Sequence, residues 1–254
     1  MSHVDSPPSQ TCVGCAGGIA APMPFSMAFQ PIVDLGAGRV RAYEALVRGP
    51  HSEPAATVLA QLTPTNVYAF DQAARVRAIE LAAQLGIAER NASVSINFKP
   101  GAMYRPQSCV RPTLAAARRT GFPPDRIVFE LTEDERVGDF AFLREIFEVY
   151  RANRFSTAID DFGAGYAGLT LLAEYQPDWV KLDMALVRGL DGDAARRAIV
   201  AAVVGMCGAL GVGLIAEGVE TRAELDALRS LGVTVFQGYL FARPAFERLP
   251  DVAL

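Results

Sequence analysis

The sequence predicts an α/β fold of the (β/α)8 TIM-barrel type in which one of the first two strands runs against the others. Three observations support this prediction: strand-like and helix-like segments alternate, eight strand candidates occur, and a short glycine-containing turn joins the first two. A chain of 254 residues, 51% of them hydrophobic, is long enough for one large domain. We expect residues 1–25 to form a flexible tail and residues 26–254 to form the domain.

The strand and helix candidates follow one another in the order of a barrel. Residues 26–35 and 39–49 flank a Gly-Ala-Gly turn, which suits an antiparallel hairpin. The clearest helix candidates are residues 66–85 and 108–119, and glycines follow both. The later strand candidates are residues 93–98, 126–132, 156–161, 178–183, 212–217 and 233–240. Parallel strands with helical crossovers give this alternation.

An uncharged run and the N-terminal segment could be mistaken for membrane or targeting sequences. The uncharged run at residues 199–216 has the length of a membrane span, but its glycines divide it into a helix and a buried strand, which we favour. Residues 1–25 contain no Lys or Arg and do not resemble a signal peptide. We therefore expect a cytoplasmic protein without a membrane span.

For the pair Cys12 and Cys15 we favour a functionally silent tail over redox sensing or metal binding.

The charge of the chain limits its partners. A formal net charge of -4 argues against a basic surface of the kind that DNA or long RNA requires. A small anionic substrate remains compatible with this charge, because bound metal ions can supply positive charge locally. We therefore expect neither DNA nor long RNA as a partner.

Charged and amide side chains gather where the strand candidates end. They are Glu44, Asn97, Glu130, Asp160, Asp161, Lys181, Asp183, Glu217 and Gln237. Barrel enzymes place their chemistry at the carboxyl-terminal rim of the strands. Several carboxylates at one rim repel one another unless cations or protons intervene, and Mg²⁺ or Mn²⁺ prefers such oxygen ligands. The pattern predicts a site for two divalent ions that could hold a bridging water.

The adjacent aspartates in the stretch TAIDDFGAGYAGL fit such a site. We expect Asp160 to close its strand pointing inward, and Asp161, already in the turn, to bend back toward the same place. One of them could then bridge two ions. Gly163 and Gly165 would let the backbone pass close to a substrate.

From about residue 27 to 249 the chain resembles the EAL-domain family of cyclic di-GMP phosphodiesterases. The resemblance lies in motifs whose order and spacing match throughout. They are Gln30-Pro31-Ile32, Glu44-Ala45-Leu46-Val47-Arg48, Ile96-Asn97-Phe98, Phe129-Glu130-Leu131-Thr132-Glu133, Asp160-Asp161-Phe162-Gly163, Lys181-Leu182-Asp183, Ala216-Glu217-Gly218-Val219-Glu220 and Gln237-Gly238-Tyr239.

The resemblance implies a modified barrel with an antiparallel first strand and hydrolysis of cyclic di-GMP to linear pGpG with two Mg²⁺ or Mn²⁺ ions. It implies that Asp160 binds both ions and Asp161 the second, and that Lys181 orients the attacking water. Glu217 and Gln237 complete the shell directly or through water. The remaining ligands of the first ion are Glu44, Asn97 and Glu130.

The resemblance also assigns substrate contacts and a partner. Gln30 and Leu46 would contact a guanine or its ribose, and Arg48 a phosphate. Glu133 would anchor the loop after the paired aspartates. A homodimer is expected from the family and from the frequency of two-fold symmetry.

Two departures from the family pattern occur, and two alternatives remain. Residues 164–168 lack the Thr or Ser frequent in the family, and Lys99 stands where a small or apolar residue is more usual. Neither departure removes a ligand, so we expect an active enzyme. The first alternative is a module that binds cyclic di-GMP or a protein without cleaving it. The second is another metal-assisted reaction, such as enolisation or phosphomonoester cleavage.

Overall fold

A closed barrel of eight strands forms the centre of the computed structural model, which describes residues 22–103, 105–132, 140–165 and 168–252. In chain order the strands are β1 (Ser26–Asp34), β2 (Arg39–Arg48), β3 (Ser93–Asn97), β4 (Ile127–Thr132), β5 (Ser156–Phe162), β6 (Trp179–Leu182), β7 (Gly213–Ala216) and β8 (Val235–Gln237). A short ninth strand, β9 (Ala245–Phe246), also pairs with β1. The predicted fold class is confirmed.

The first strand is the one that runs against the others. β1 pairs antiparallel with β2 and with β8, whereas every other neighbouring pair in the barrel is parallel. The side chain of Asp34 holds the turn after β1 by accepting a 2.9 Å hydrogen bond from the amide of Ala37. This pairing confirms the predicted hairpin and the antiparallel first strand.

Helices follow the strands and pack on the outside of the barrel. They are α1 (Ala55–Leu59), α2 (Val67–Gln84), α3 (Pro106–Cys109), α4 (Arg111–Thr120), α5 (Phe140–Ala152), α6 (Gly168–Glu174), α7 (Met184–Val187), α8 (Ala194–Leu210) and α9 (Arg222–Ser230). The helix predicted at residues 66–85 is α2. The helix predicted at 108–119 is divided between α3 and α4, because Pro112 fits only the first turn of a helix.

The apolar run at residues 199–216 forms the end of α8 and then β7. The chain turns between them at Gly211, whose φ of 69° lies in the left-handed region that glycine adopts readily. Among the described residues, no helix combines the length and the apolar character needed to cross a membrane. The predicted division into a helix and a strand is therefore what the structure contains.

Buried apolar side chains form two layers. The larger layer lies between the strands and the surrounding helices. The smaller layer lies inside the barrel, where Trp179 packs against Ile32, Ala42, Ile215 and Val235. Side chains two residues apart on a strand face the same way. The polar residues Gln30, Glu44, Glu217 and Gln237 therefore lie directly above this apolar layer.

Candidate active site

A cavity of about 260 Å³ opens at the carboxyl-terminal end of the barrel. Seven residues predicted from the sequence line it: Gln30, Glu44, Asp160, Asp161, Lys181, Glu217 and Gln237. Glu130 and Asn97 adjoin this set, since Glu130 contacts Lys181 and Asn97 contacts Glu44. The structure therefore brings nine of the side chains predicted from the sequence together at one end of the barrel.

The carboxylates form two groups that share one member. In the first group, oxygen atoms of Glu44, Glu130 and Asp160 lie within 4.8 Å of one another. In the second group, oxygen atoms of Asp160, Asp161 and Glu217 lie within the same distance. Asp160 thus stands between two sets of oxygen donors.

Lys181 lies in the middle of these carboxylates and is almost completely buried. Its Nζ lies 2.6 Å from Glu217 Oε1, 2.8 Å from Glu130 Oε2, 2.9 Å from Asp160 Oδ1 and 3.7 Å from Glu44 Oε2. Burial alone would lower the pKa of Lys181, but the four carboxylates outweigh it and raise that pKa well above the usual value. The ammonium therefore keeps its proton at neutral pH.

Burial and mutual repulsion raise the pKa values of three carboxylates at the site. Burial raises the pKa of Glu130 to about 8. Repulsion from Glu44 and Asp160 adds to this shift, whereas the attraction of Lys181 opposes it. Burial also raises the pKa of Glu217 well above its usual value. The attraction of Lys181 opposes this shift, and the repulsion of Asp160 adds to it. The pKa of Asp161 rises to about 6 through burial and repulsion from Asp160. Additional positive charge at this place would relieve the repulsion.

The donor atoms at the site fit divalent metal ions. Both groups consist of carboxylate oxygens, which are the ligands that hard cations such as Mg²⁺, Mn²⁺ and Ca²⁺ prefer. Within the described part of the chain, the Oε1 atom of Gln237 is buried without a hydrogen-bond partner. A metal-bound water at the same site would supply a donor to that oxygen.

A local irregularity in β5 brings both aspartates to the site. The sequence predicted that Asp161 already belongs to the turn, whereas β5 continues to Phe162. Asp161 has a left-handed φ of 53°, and the pairing of β5 with β6 shifts register between Ile159 and Phe162. An inserted residue of this kind re-aims a side chain that would otherwise point to the other face. The predicted convergence holds, but a bulge inside the strand produces it.

Amide groups and a hydroxyl hold two of the carboxylates. The amide nitrogens of Asn97 and Gln237 donate to the two oxygens of Glu44, at 3.0 Å and 2.6 Å. The hydroxyl of Ser95 donates to Glu130 Oε1. Ser95 was not predicted, although it faces inward two residues before Asn97 on β3, which is a signal that the sequence contains.

Leu46 and Arg48 do not line the cavity, and a third predicted residue is not described. Leu46 lines a separate, largely apolar cavity of about 260 Å³ between the barrel and α2. The guanidinium of Arg48 donates to the backbone carbonyl of Val47, at 2.7 Å. Glu133, the predicted loop anchor, lies outside the described residues, as do Cys12 and Cys15 and part of the loop after β5.

The rim of the cavity contains residues that were not assigned a role from the sequence. They are Asp183, Met184, Arg188, Gly218, Glu220, Gly238 and Tyr239. A Cβ atom at Gly238 would lie 2.0 Å from the carbonyl oxygen of Val219, so only glycine fits there. Gly163 has a φ of 100°, and a Cβ there would lie 2.5 Å from Leu186 Cδ1. Gly238 thus allows close backbone packing beside the site, and Gly163 leaves room for the side chain of Leu186.

Two solved structures have the same fold and similar sequences. A standalone EAL protein from Vibrio cholerae O395, in a c-di-GMP bound form, is 46% identical with a TM-score of 0.88 and covers 92% of this chain and 98% of that one. BlrP1 from Klebsiella pneumoniae, in a manganese and cyclic di-GMP complex, is 36% identical with a TM-score of 0.85 and covers 92% of this chain and 59% of that one.

Two curated relatives are also similar in sequence. The blue light- and temperature-regulated antirepressor BluF of Escherichia coli K12 is 33% identical over 226 residues, which are 89% of this chain and 56% of BluF. The cyclic di-GMP phosphodiesterase RocR of Pseudomonas aeruginosa PAO1 is 37% identical over 126 residues, 50% of this chain and 32% of RocR. The chain thus spans only part of the length of these relatives. Residues 23–244 match the EAL domain, and the chain belongs to the EAL domain family.

Proposed function

We propose that the chain hydrolyses one phosphodiester bond of cyclic di-GMP, giving linear pGpG, with two Mg²⁺ or Mn²⁺ ions as cofactors. The observation that carries this proposal is the pair of carboxylate groups that share Asp160. Two metal ions at such a site clamp phosphoryl oxygens and lower the pKa of a water molecule. The complexes of the Vibrio and Klebsiella relatives with cyclic di-GMP, and the name of RocR, support the substrate.

The candidate ligands divide between the two metal positions. Asp160 would serve both, Asp161 and Glu217 the second, and the first would be completed by Glu44, Asn97 and Glu130. Five of the candidate ligands already have side-chain contacts with amides, a hydroxyl or the ammonium of Lys181: Glu44, Asn97, Glu130, Asp160 and Glu217. Such fixed ligands reduce the reorganisation that metal binding requires.

Lys181 would orient the water that attacks the phosphorus atom in line with the leaving oxygen. Its pKa lies well above the usual value, so the ammonium donates hydrogen bonds and does not accept a proton. Because it already contacts Asp160 and Glu217, a water held between those residues lies within its reach. Removing this donor should lower kcat more than substrate affinity.

Substrate binding remains assigned by resemblance. Gln30 would contact a guanine or its ribose; it lines the cavity together with Gln237, whose amide nitrogen donates to Gln30 Oε1 at 3.3 Å. Leu46 would contact a guanine from its neighbouring apolar cavity. Arg48 would bind a phosphate after releasing the carbonyl of Val47. Glu133 as loop anchor stays a prediction.

The direct test is turnover of purified protein. We expect conversion of cyclic di-GMP to pGpG with Mg²⁺ or Mn²⁺, measured by chromatography of the nucleotides, and no conversion after EDTA treatment. Restored turnover after excess Mn²⁺ is added is the control for damage by the chelator. Turnover that EDTA leaves unchanged would contradict the metal mechanism.

A second candidate function is binding without hydrolysis. The observation that favours it is the 33% identity with BluF, which is named an antirepressor. The two candidates differ in one measurement, because a binding module would hold cyclic di-GMP in the presence of Mn²⁺ without producing pGpG. The intact set of carboxylates and Lys181 favours hydrolysis.

Several broader expectations stay predictions. They are a homodimer, a cytoplasmic location, a flexible tail at residues 1–25 before the domain at 26–254, and the absence of DNA or long RNA as partners. Size-exclusion chromatography with light scattering would test the first of them.

A further inference from the structure

A buried ion pair lies on the outside of the barrel, behind two candidate metal ligands. Asp71 and Arg75, one turn apart on α2, form this pair, and their side chains are 4% and 0% exposed. Burying two charges costs so much solvation that apolar residues of similar size are often equally stable. Stability alone therefore does not explain the pair.

Asp71 holds the chain where it leaves β3. Its Oδ1 atom accepts a 3.0 Å hydrogen bond from the backbone amide of Lys99, two residues after Asn97. The residue between them, Phe98, donates its amide to the carbonyl of Glu130, at 3.0 Å. The backbone beside Asn97 is thus fixed on one side by β4 and on the other by Asp71.

Arg75 packs against the residues adjacent to both candidate ligands. Its guanidinium carbon lies 5.7 Å from the centroid of the Phe98 ring and 5.5 Å from that of Phe129. Phe98 follows Asn97, and Phe129 precedes Glu130. Because adjacent strand residues face opposite ways, these rings point away from the barrel while Glu130 points into it.

Tyr150 on α5 completes the arrangement. Its hydroxyl accepts a 3.1 Å hydrogen bond from Arg75 Nη1, and its ring stacks on Phe129 with centroids 4.4 Å apart. Burial raises the pKa of Tyr150 above its usual range, so the phenol stays neutral. The ion pair is therefore held from α2, β3, β4 and α5 together.

We propose that Asp71 and Arg75 are positioning residues that set the places of Asn97 and Glu130 for the first metal ion. This inference rests on the metal site of the proposed function. Residues that support metal ligands typically change metal affinity by about 10- to 100-fold when they are replaced. The pair acts through the backbone and the two rings, and touches neither the metal nor the substrate.

The test replaces the pair by apolar residues of similar size, Asp71→Leu with Arg75→Met, and measures Mn²⁺ affinity by isothermal titration of metal-free protein. We expect the affinity to fall by about tenfold or more, while the melting temperature stays close to that of the parent. The matched control is Arg222→Ala with Asp226→Ala on α9, an ion pair of the same spacing that is exposed. We expect the control to bind Mn²⁺ as the parent does.

The outcomes separate this inference from the proposed function. A folded double variant with the Mn²⁺ affinity of the parent would overturn the inference alone. A parent protein that binds no Mn²⁺ would overturn both. If the double variant does not fold, Tyr150→Phe removes only the hydroxyl that Arg75 contacts, and we expect a two- to fivefold weaker affinity, on the order of one lost hydrogen bond. An unchanged affinity in that variant would overturn the inference.

Discussion

Two clusters of buried charge lie on opposite sides of the same strands, and they differ in charge balance. Outside the barrel, Asp71 and Arg75 form one neutral pair. Inside it, one ammonium contacts four carboxylates, with Asp161 as a fifth nearby. A balanced pair can persist without a ligand, whereas an excess of buried negative charge requires protons or cations. Charge balance, more than burial, therefore marks the inner cluster as the functional one.

The largest effect should follow from neutralising the carboxylate shared by both groups. Asp160→Asn keeps the shape of the side chain but removes charge from both metal positions. We expect kcat/KM for cyclic di-GMP at fixed Mn²⁺ to fall by about a thousandfold, the upper range for losing one strong electrostatic contact. Asp125→Asn, an exposed carboxylate before β4, is the control. Activity within tenfold of the parent in Asp160→Asn would place the reaction elsewhere.

The next effect concerns the cation that partly balances the inner cluster. Lys181→Met leaves four carboxylates without their partner, so metal-free protein should lose about 3–5 kcal/mol of unfolding free energy. Added Mn²⁺ should restore much of this loss, because it replaces the missing charge, while kcat stays reduced. Urea unfolding in EDTA measures the loss of unfolding free energy, and urea unfolding in Mn²⁺ measures its recovery. Arg118→Met, at an exposed position, should show no such dependence on metal.

A smaller effect is the pH dependence of stability in metal-free protein. In the folded chain the pKa of Glu130 is raised to about 8 and that of Asp161 to about 6. The unfolded chain loses these protons near pH 4, so the folded state binds more protons between pH 4 and 8. Stability should therefore fall as the pH rises through this window.

The melting temperature in EDTA, measured from pH 5 to 8.5, tests this sign. The raised pKa of Lys181 adds no slope there, because that group titrates above the window in both states. Mn²⁺ should reduce the slope, since a bound cation replaces the protons. A melting temperature that rises with pH in EDTA would contradict the charge excess.

The smallest effect concerns the left-handed backbone at Asp161. Asp161→Asn keeps a side chain that tolerates this conformation, whereas Asp161→Ala does not. We expect the alanine variant to unfold about 1 kcal/mol more easily than the asparagine variant, with similar loss of metal binding in both. Thermal unfolding in EDTA compares them. Equal stability would mean that the conformation at residue 161 stores no strain.

The sequence predicted the barrel well because its strands differ strongly from its helices in pattern. Eight strand candidates and the hairpin turn were enough to predict the fold and the rim. The helix α1 and strand β9 were not predicted, because five and two residues are too short to show a period. The bulge at Asp161 depends on the pairing of β5 with β6, which no local pattern encodes.

The two charge clusters differ in how well the sequence predicts them. Acidic residues at successive strand ends identify the inner cluster, since buried strands rarely contain them without a reason. Asp71 and Arg75 have the same spacing as the exposed pair of Arg222 and Asp226, so the sequence does not distinguish a buried pair from a surface pair. Burial of the first pair against Phe98, Phe129 and Tyr150 separates them.

The antiparallel first strand has a consequence for how the chain folds. β1 pairs with β2 at once, but its other edge waits for β8 and β9, which follow some two hundred residues later along the chain. During synthesis on a ribosome, that edge stays open until nearly the whole domain has emerged, and open strand edges promote aggregation. Contacts so distant in sequence also slow folding. Closure of the barrel, and with it assembly of the inner charge cluster, is therefore a late step in the folding of each newly synthesised chain.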